Sequence, residues 1–512
     1  MYKEFLWGVS ISGFQFEMGD PNGLDIDSNT DWFVWVHDKY NIENKVVSGD
    51  FPENGPNYWF LFAKDHELAQ KLGMNAFRIG IEWSRIFPKS TRKVEVEYEI
   101  DELGLISHMD IGEEHLFELD KIANKRALLK YREIIYDLRK REFKVIVNLN
   151  HFTLPLWIHN PIKARETKLK SGPLGWLEKE SIVEFVKYVA YIAWKLGDIV
   201  DIWSVFNEPN IVARSYLFPS GSPPGVISQK AYAKAIINMA VAHARAYDMI
   251  KKFDKIRADK DSVEAAFVGL IHSISPAYPL NPENSDDTFA AKNFNYFYNE
   301  WFINAVNDGE VDIDFNGEID SKERRFHMYN KMDWLGINYY TRYVLKKKEK
   351  PLMSMLPITK FEIVKGYGRM CKPNSRSKAG FPTSDFGWEI FPKGLYDSVR
   401  ICAKYGKPIL ITENGIADKD DKLRPSFIVS HVFQLQEIKK RFNIIGYLHW
   451  SLIDNYEWAS GFKMRFGLIK VDFENKKRIY RKSAFIYKEI AENDGITSKL
   501  ANKYLLENLD SH

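Results

Sequence analysis

Two glutamates follow directly on short apolar runs. Glu208 lies in Phe206-Asn207-Glu208-Pro209 and Glu413 in Thr412-Glu413-Asn414-Gly415. Hydrolysis of a glycosidic bond needs one protonated and one ionised carboxyl group, on opposite sides of the anomeric carbon. A pair of strand-end glutamates can supply both. A single such glutamate reads more simply as a salt-bridge partner or a helix cap. Asn-Glu-Pro and Glu-Asn-Gly are each weak signals alone; what gives them weight is their place in the pattern of elements.

That pattern is regular. Short apolar, β-prone runs at residues 5–9, 76–81, 144–150, 202–206, 265–271, 334–338, 409–412 and 444–448 read as strands. Amphipathic stretches at 56–72, 127–141 and 230–253 read as helices, the first closed by Gly73. Eight strands alternating with helices predict an α/β fold, a (β/α)8 barrel forming one domain over residues 1–512. Five of the runs end in polar and aromatic clusters: Glu82-Trp83-Ser84-Arg85, Asn150-His151-Phe152, Asn207-Glu208-Pro209-Asn210, Asn338-Tyr339-Tyr340 and Glu413-Asn414-Gly415. Charged groups just past an apolar strand are poor core formers, and the carboxyl edge of a barrel sheet is where sites are built. The long connections 87–129, 153–176 and 342–396 are expected to wall a deep cleft.

The remaining composition mostly excludes. A net charge of +3 without a strongly basic half gives no nucleic-acid signature. The run Lys346-Lys347-Lys348-Glu349-Lys350 reads as a solvated loop. The apolar stretch 182–206 is interrupted by Glu184, Lys187, Lys195, Asp198 and Asp201, so no membrane span is expected. Cys371 and Cys402 form neither a disulfide framework nor a zinc spacing. The opening Met1-Tyr2-Lys3-Glu4-Phe5-Leu6-Trp7-Gly8 has no basic region followed by an apolar one, and the expectation is a cytoplasmic protein. Scarce glutamine with abundant Lys, Glu and Ile leans towards a thermophile. Residues 312–323, from Asp312 to Glu323, fit the spacing of a calcium loop. Asp308-Gly309 ends the preceding helix too early for that motif, however, and an Asp- and Asn-rich turn explains the residues equally well.

From Phe5 to Lys499 the chain resembles glycoside hydrolase family 1, and within it the archaeal β-glycosidases. The resemblance is carried by Phe77-Arg78-Ile79-Gly80-Ile81-Glu82-Trp83-Ser84-Arg85, Asn150-His151-Phe152, Trp203-Ser204-Val205-Phe206-Asn207-Glu208-Pro209-Asn210, Gly336-Ile337-Asn338-Tyr339-Tyr340-Thr341, Ile411-Thr412-Glu413-Asn414-Gly415 and His449-Trp450-Ser451-Leu452-Ile453-Asp454-Asn455-Tyr456-Glu457-Trp458. It implies Glu208 as general acid/base and Glu413 as nucleophile of a retaining mechanism, with the carboxyl groups about 5 Å apart. Asn207 would bind the sugar 2-hydroxyl. Gln15, His151, Glu457 and Trp458 would hold other hydroxyls, with Trp450 as the platform under the ring. Trp388 would stack on the leaving group. Arg78 and Tyr339 would flank Glu413 and keep it ionised. This chemistry calls for no metal and no organic cofactor.

The resemblance also sets the substrate expectations. The partner is a small-molecule β-glycoside or oligosaccharide, broad across β-glucosides and β-galactosides, with neither nucleic acid nor membrane involved. A β-mannosidase is the rival within the family, though Arg78 and Asn207 fit the gluco/galacto pattern. A 6-phospho-β-glycosidase would replace Glu457-Trp458 with phosphate-binding groups. A non-catalytic sugar-binding relative would usually lack one of the two glutamates. Archaeal relatives suggest a homotetramer, with the tail 496–509 as a contributor to an interface.

Overall fold

The computed structural model describes residues 4–219, 221–262 and 264–506. Eight parallel strands close a barrel: β1 (Leu6–Ser10), β2 (Ala76–Gly80), β3 (Lys144–Asn150), β4 (Ile202–Asn207), β5 (Phe267–Ser273), β6 (Trp334–Asn338), β7 (Ile409–Asn414) and β8 (Ile444–His449). Each neighbours the next in the chain. β1 closes the ring, with Gly8 beside Ala76 and Leu6 beside Gly446. The strands lie within two residues of the runs read from sequence. The principal helices between and after them are α1 (Tyr58–Lys71), α2 (Lys125–Lys140), α3 (Lys179–Leu196), α4 (Gln229–Phe253), α5 (Ser285–Phe294), α6 (Lys393–Ala403), α7 (Arg424–Lys439) and α8 (Lys482–Glu492). No helix among the described residues is long and apolar enough to cross a membrane.

The barrel interior explains how the site is held. Every strand gives a residue to one buried apolar cluster, including Leu6, Ala76, Ile146, Ile202, Trp334 and Leu410. Trp334 fills so much of this plug that a Cβ on Gly269 would meet its ring at 2.2 Å. Two residues further along a strand the side chain points to the same face. Above Ala76 therefore stands Arg78, above Leu410 stands Thr412, and four residues beyond Trp334 stands Asn338. The apolar plug is the floor on which the polar site rests. A second, larger cluster between strands and helices extends through the chain, and the whole is a single domain.

One expectation about the loops is overturned. The connection 87–129 does not wall the cleft. It folds into a hairpin, Glu97–Ile100 with Ile106–Asp110, and the helix Glu113–Ile122. That helix is amphipathic and buries Leu116 and Leu119, while Ile106 and Met109 of the hairpin are buried too. The apolar residues thus anchor the segment to the outside of the barrel. The missing wall comes from the β1–α1 connection, which supplies Gln15, Asp31 and Trp32.

The calcium-like loop is closed largely by its own backbone. Asp308 ends a helical turn, with Gly309 at φ 70°. The carboxylates of Asp312, Asp314 and Glu323 come within 4.8 Å of one another. Asp312 accepts the N–H groups of Asn316 and Gly317 and the Tyr296 hydroxyl. Glu323 accepts those of Ile313 and Asp320. Of the tail read as an interface, residues 507–509 lie outside the described residues.

Candidate active site

A cleft of about 400 Å³ opens at the carboxyl ends of the strands. Gln15, His151, Asn207, Glu208, Trp388, Glu413, Trp450, Glu457 and Trp458 all reach its lining. Asn207 and Glu413 lie at the ends of β4 and β7, and the others lie on the segments that follow β1, β3, β4, β6 and β8. Strand pairing is irregular where the glutamates emerge: the register shifts between Ile411 and Glu413 against β6, and between Ser204 and Asn207 against β5. Such irregularities re-aim side chains. Three lining residues, Phe152, Glu208 and Trp458, have positive φ at 73°, 49° and 49°. Non-glycine residues in this region store strain that tends to gather at functional sites.

Arg78, fully buried below the cleft, organises the donors and acceptors. One Nη donates to Glu413 at 2.7 Å and the other to the Asn207 side-chain oxygen at 2.7 Å. Because a guanidinium only donates, the atom of Asn207 facing it must be Oδ1. Asn338 donates to the same oxygen, which leaves Nδ2 of Asn207 directed at the His151 side of the cleft. His151 obeys the same logic. Its Nδ1 lies 3.2 Å from Arg78 Nη2 and must carry the lone pair, so the ring proton sits on Nε2. The protein atom opposite Nε2 is the Asn207 amide nitrogen, itself a donor. This N–H is therefore free to donate to an acceptor in the cleft. Burial and Arg78 hold the His151 pKa well below its ordinary value, so the ring is neutral.

The carboxyl groups differ in their surroundings. Glu413 accepts from Arg78 and from the Tyr340 hydroxyl at 2.6 Å. Among the described residues, Glu208 accepts only from the neutral Asn338 amide, at 3.0 Å. Burial, then the Glu413 charge, pushes Glu208 up to about 7. Burial raises Glu413 too, but the Arg78 charge and the Tyr340 hydroxyl oppose it, so the negative charge of the pair settles on Glu413.

The tyrosine on Glu413 is not Tyr339. Side chains alternate along a strand: Asn338 points in, Tyr339 out, and Tyr340 in again. The Tyr339 hydroxyl donates to the Phe391 carbonyl at 2.5 Å, behind the sheet, where Gly394 leaves room for it. The same alternation would have found Tyr340, and Asn338 as the bridge from Asn207 to Glu208. Thr412 fixes Asn338 by donating to its side-chain oxygen at 2.7 Å.

Around this centre, Gln15 accepts from Ser12 and places its amide nitrogen 3.3 Å from Glu457. Burial, with the charges of Glu413 and Glu208, pushes Glu457 up to about 8. Trp458 stacks on Phe14 at 5.7 Å, and Trp450 stands edge-on to Phe16 at 5.7 Å. Trp388 is stacked on Phe386 at 4.6 Å. Glu82, from the β2 cluster, does not reach the cleft. It accepts the Phe14 N–H at 2.8 Å and the Thr153 hydroxyl at 2.5 Å, joining the Gln15 turn to the His151 loop.

A family model for glycosyl hydrolase family 1 matches residues 1–101 and 120–496. The chain belongs to this family. The β-galactosidase of Pyrococcus woesei is 50% identical over 511 residues, covering 98% of this chain and 99% of that one. The crystal structure of the β-glycosidase from the hyperthermophile Thermosphaera aggregans superposes with a TM-score of 0.90 at 44% identity, covering 99% of both chains. A β-glucosidase mutant described as derived from a hyperthermophilic tetrameric structure gives 0.85 at 43% identity, covering 98% of this chain and 97% of that one. This family 1 protein is accordingly a glycoside hydrolase, and the cleft is its candidate active site.

Proposed function

We propose that the enzyme is a retaining β-glycosidase that removes terminal β-D-galactosyl and β-D-glucosyl units. The observation that carries this reading is the unequal dressing of the two carboxyl groups: a guanidinium and a phenol on Glu413, one neutral amide on Glu208. Glu413 attacks the anomeric carbon, forming a carbon–oxygen bond as the bond to the leaving oxygen breaks, and Glu208 gives its proton to that oxygen. The ester no longer carries the charge that raised Glu208, whose pKa falls. Glu208 then takes a proton from water as the water oxygen attacks the same carbon and Glu413 departs. The Asn207 amide, held by Arg78 and Asn338, donates to the 2-hydroxyl. His151 Nε2–H meets the next hydroxyl, and Gln15 and Glu457 clasp the far rim of the ring over Trp450.

The names of the relatives support the galactoside and glucoside assignment. A 6-phosphate would be brought up against the buried Glu457 carboxyl, which disfavours phosphorylated sugars. We further infer a cytoplasmic, heat-stable homotetramer. The free thiols of Cys371 and Cys402 support the compartment, and the relative of tetrameric origin supports the assembly. Rates on nitrophenyl β-galactoside, β-glucoside, β-mannoside and 6-phospho-β-glucoside test the reading. The first two should be turned over fastest and the phosphorylated sugar least. Preference for the phosphorylated sugar would overturn the substrate assignment, and absence of turnover on all four would overturn the activity.

A further inference from the structure

Past Glu208 the cleft changes character. The sugar-holding side is lined by amides, a carboxyl group and indoles. The departing group must lie on the other side, because Glu208 hands it a proton. There two arginines reach the lining: Arg214, ending the short helix Pro209–Arg214, and Arg369, from the turn Gly368–Met370. Among the described residues neither is in an ion pair with a carboxylate. The Nε of each is out of contact with water and without a hydrogen-bond partner. A long contact of 3.4 Å joins Arg369 to the Ser275 hydroxyl.

This is unlike the treatment of neighbouring buried arginines. Arg78 is paired with Glu413, and Arg342 is gripped twice by Glu389 at 2.7 and 3.1 Å. Arg369 instead lies over the Trp388 ring, its Cζ 4.6 Å from the centroid. The carboxylate whose charge acts on it is Glu208. That group is neutral at the moment it acts as the acid, so the cation then has no counter-ion. Both guanidiniums also bear on one phenol: burial and Tyr343 raise Tyr298, while Arg369 and Arg214 oppose them. The two cations therefore converge on one region. A half-buried guanidinium without a partner is held at a desolvation cost that a bound anion relieves, and its planar fork matches a carboxylate or phosphate.

We propose that the leaving-group half of the cleft is a binding site for an anionic aglycone, a carboxylate or phosphate carried by the departing group and engaged by Arg369 and Arg214. The proposal rests on Glu208 being the proton donor. Trp388 would hold the apolar part of such a group against the cations.

The test uses three galactosides of matched leaving ability: 4-(carboxymethyl)phenyl, its methyl ester, and 4-(phosphonomethyl)phenyl. A methylene insulates each phenol from the charge. At least one anion should exceed the ester in kcat/KM by roughly tenfold, the scale of a hydrogen bond to a charged group, mainly through KM. The better of the two identifies the anion. Arg369→Gln and Arg214→Gln should each lower the anion-to-ester ratio by about fivefold or more, and Arg369→Lys should restore part of it. Equal rates for anions and ester in the wild type, or a ratio unmoved by both glutamine variants, would overturn the proposal while leaving the glycosidase reading intact. Failure to hydrolyse even the ester would overturn both.

Discussion

At the residue scale, one hydroxyl separates what patterning can tell from what geometry must. Tyr339 and Tyr340 are adjacent and chemically identical, and a motif match alone favoured the first. The pleat assigns them to opposite faces: Tyr340 donates to Glu413 at 2.6 Å, Tyr339 to a carbonyl behind the sheet. Tyr340→Phe should therefore lower kcat by about ten- to a hundredfold, the loss of a hydrogen bond to a charged group. Tyr339→Phe should leave kcat within a few-fold and remove about 1 kcal/mol of stability. Steady-state rates with chemical denaturation of both variants distinguish them, and a larger kcat loss at Tyr339 would refute the assignment. His151, Asn207, Glu208 and Glu413 were legible because polar groups followed apolar strands, whereas Gln15, Trp388, Trp450, Glu457 and Trp458 were reached only through the family resemblance. Asn338 was visible in the same cluster, and alternation was the unused signal. Arg369 was not legible, because it lies within a long connection with no strand beside it to fix its direction.

At the element scale, all eight barrel strands could be read, since a parallel strand buried on both faces is an apolar run with abrupt ends. The loops were less readable. Length suggested that 87–129 walled the cleft, but its buried Leu116 and Leu119 tie it to the flank. Nothing local distinguishes an amphipathic helix facing a cleft from one facing a barrel wall. Long-range ion pairs are equally invisible. Asp65 on α1 receives two bonds of 2.8 Å from Arg478, which lies in the hairpin strand Arg478–Tyr480, and both side chains are essentially buried. Removing one partner strands a buried charge, so Asp65→Ala should cost about 3–5 kcal/mol. Denaturant unfolding measures this, and a loss below about 1 kcal/mol would place the pair among the weakly coupled surface contacts.

At the scale of the whole molecule, buried carboxyl groups in the site and beneath it oppose stability. Glu208, Glu457 and Glu82 are pushed to about 7, 8 and 8 by burial and neighbouring acids. Between about pH 4.5 and those values the folded chain keeps protons that the unfolded chain releases, so these groups make stability fall as pH rises, levelling off above the folded pKa values. Glu457→Gln removes one such group. Its unfolding midpoint, relative to the wild type, should be higher at about pH 8 than at about pH 5. A relative midpoint that instead fell over that range would contradict the raised pKa.

The same division of charge underlies the central claim, that Glu413 is the ionised nucleophile and Glu208 the proton carrier. The most direct test is the stereochemistry of azide rescue with an activated aryl β-galactoside. Glu413→Gly should abolish hydrolysis, and azide entering the vacated space should give the α-glycosyl azide. Glu208→Ala should still form the glycosyl-enzyme and give the β-azide. A β-azide from Glu413→Gly would contradict the account.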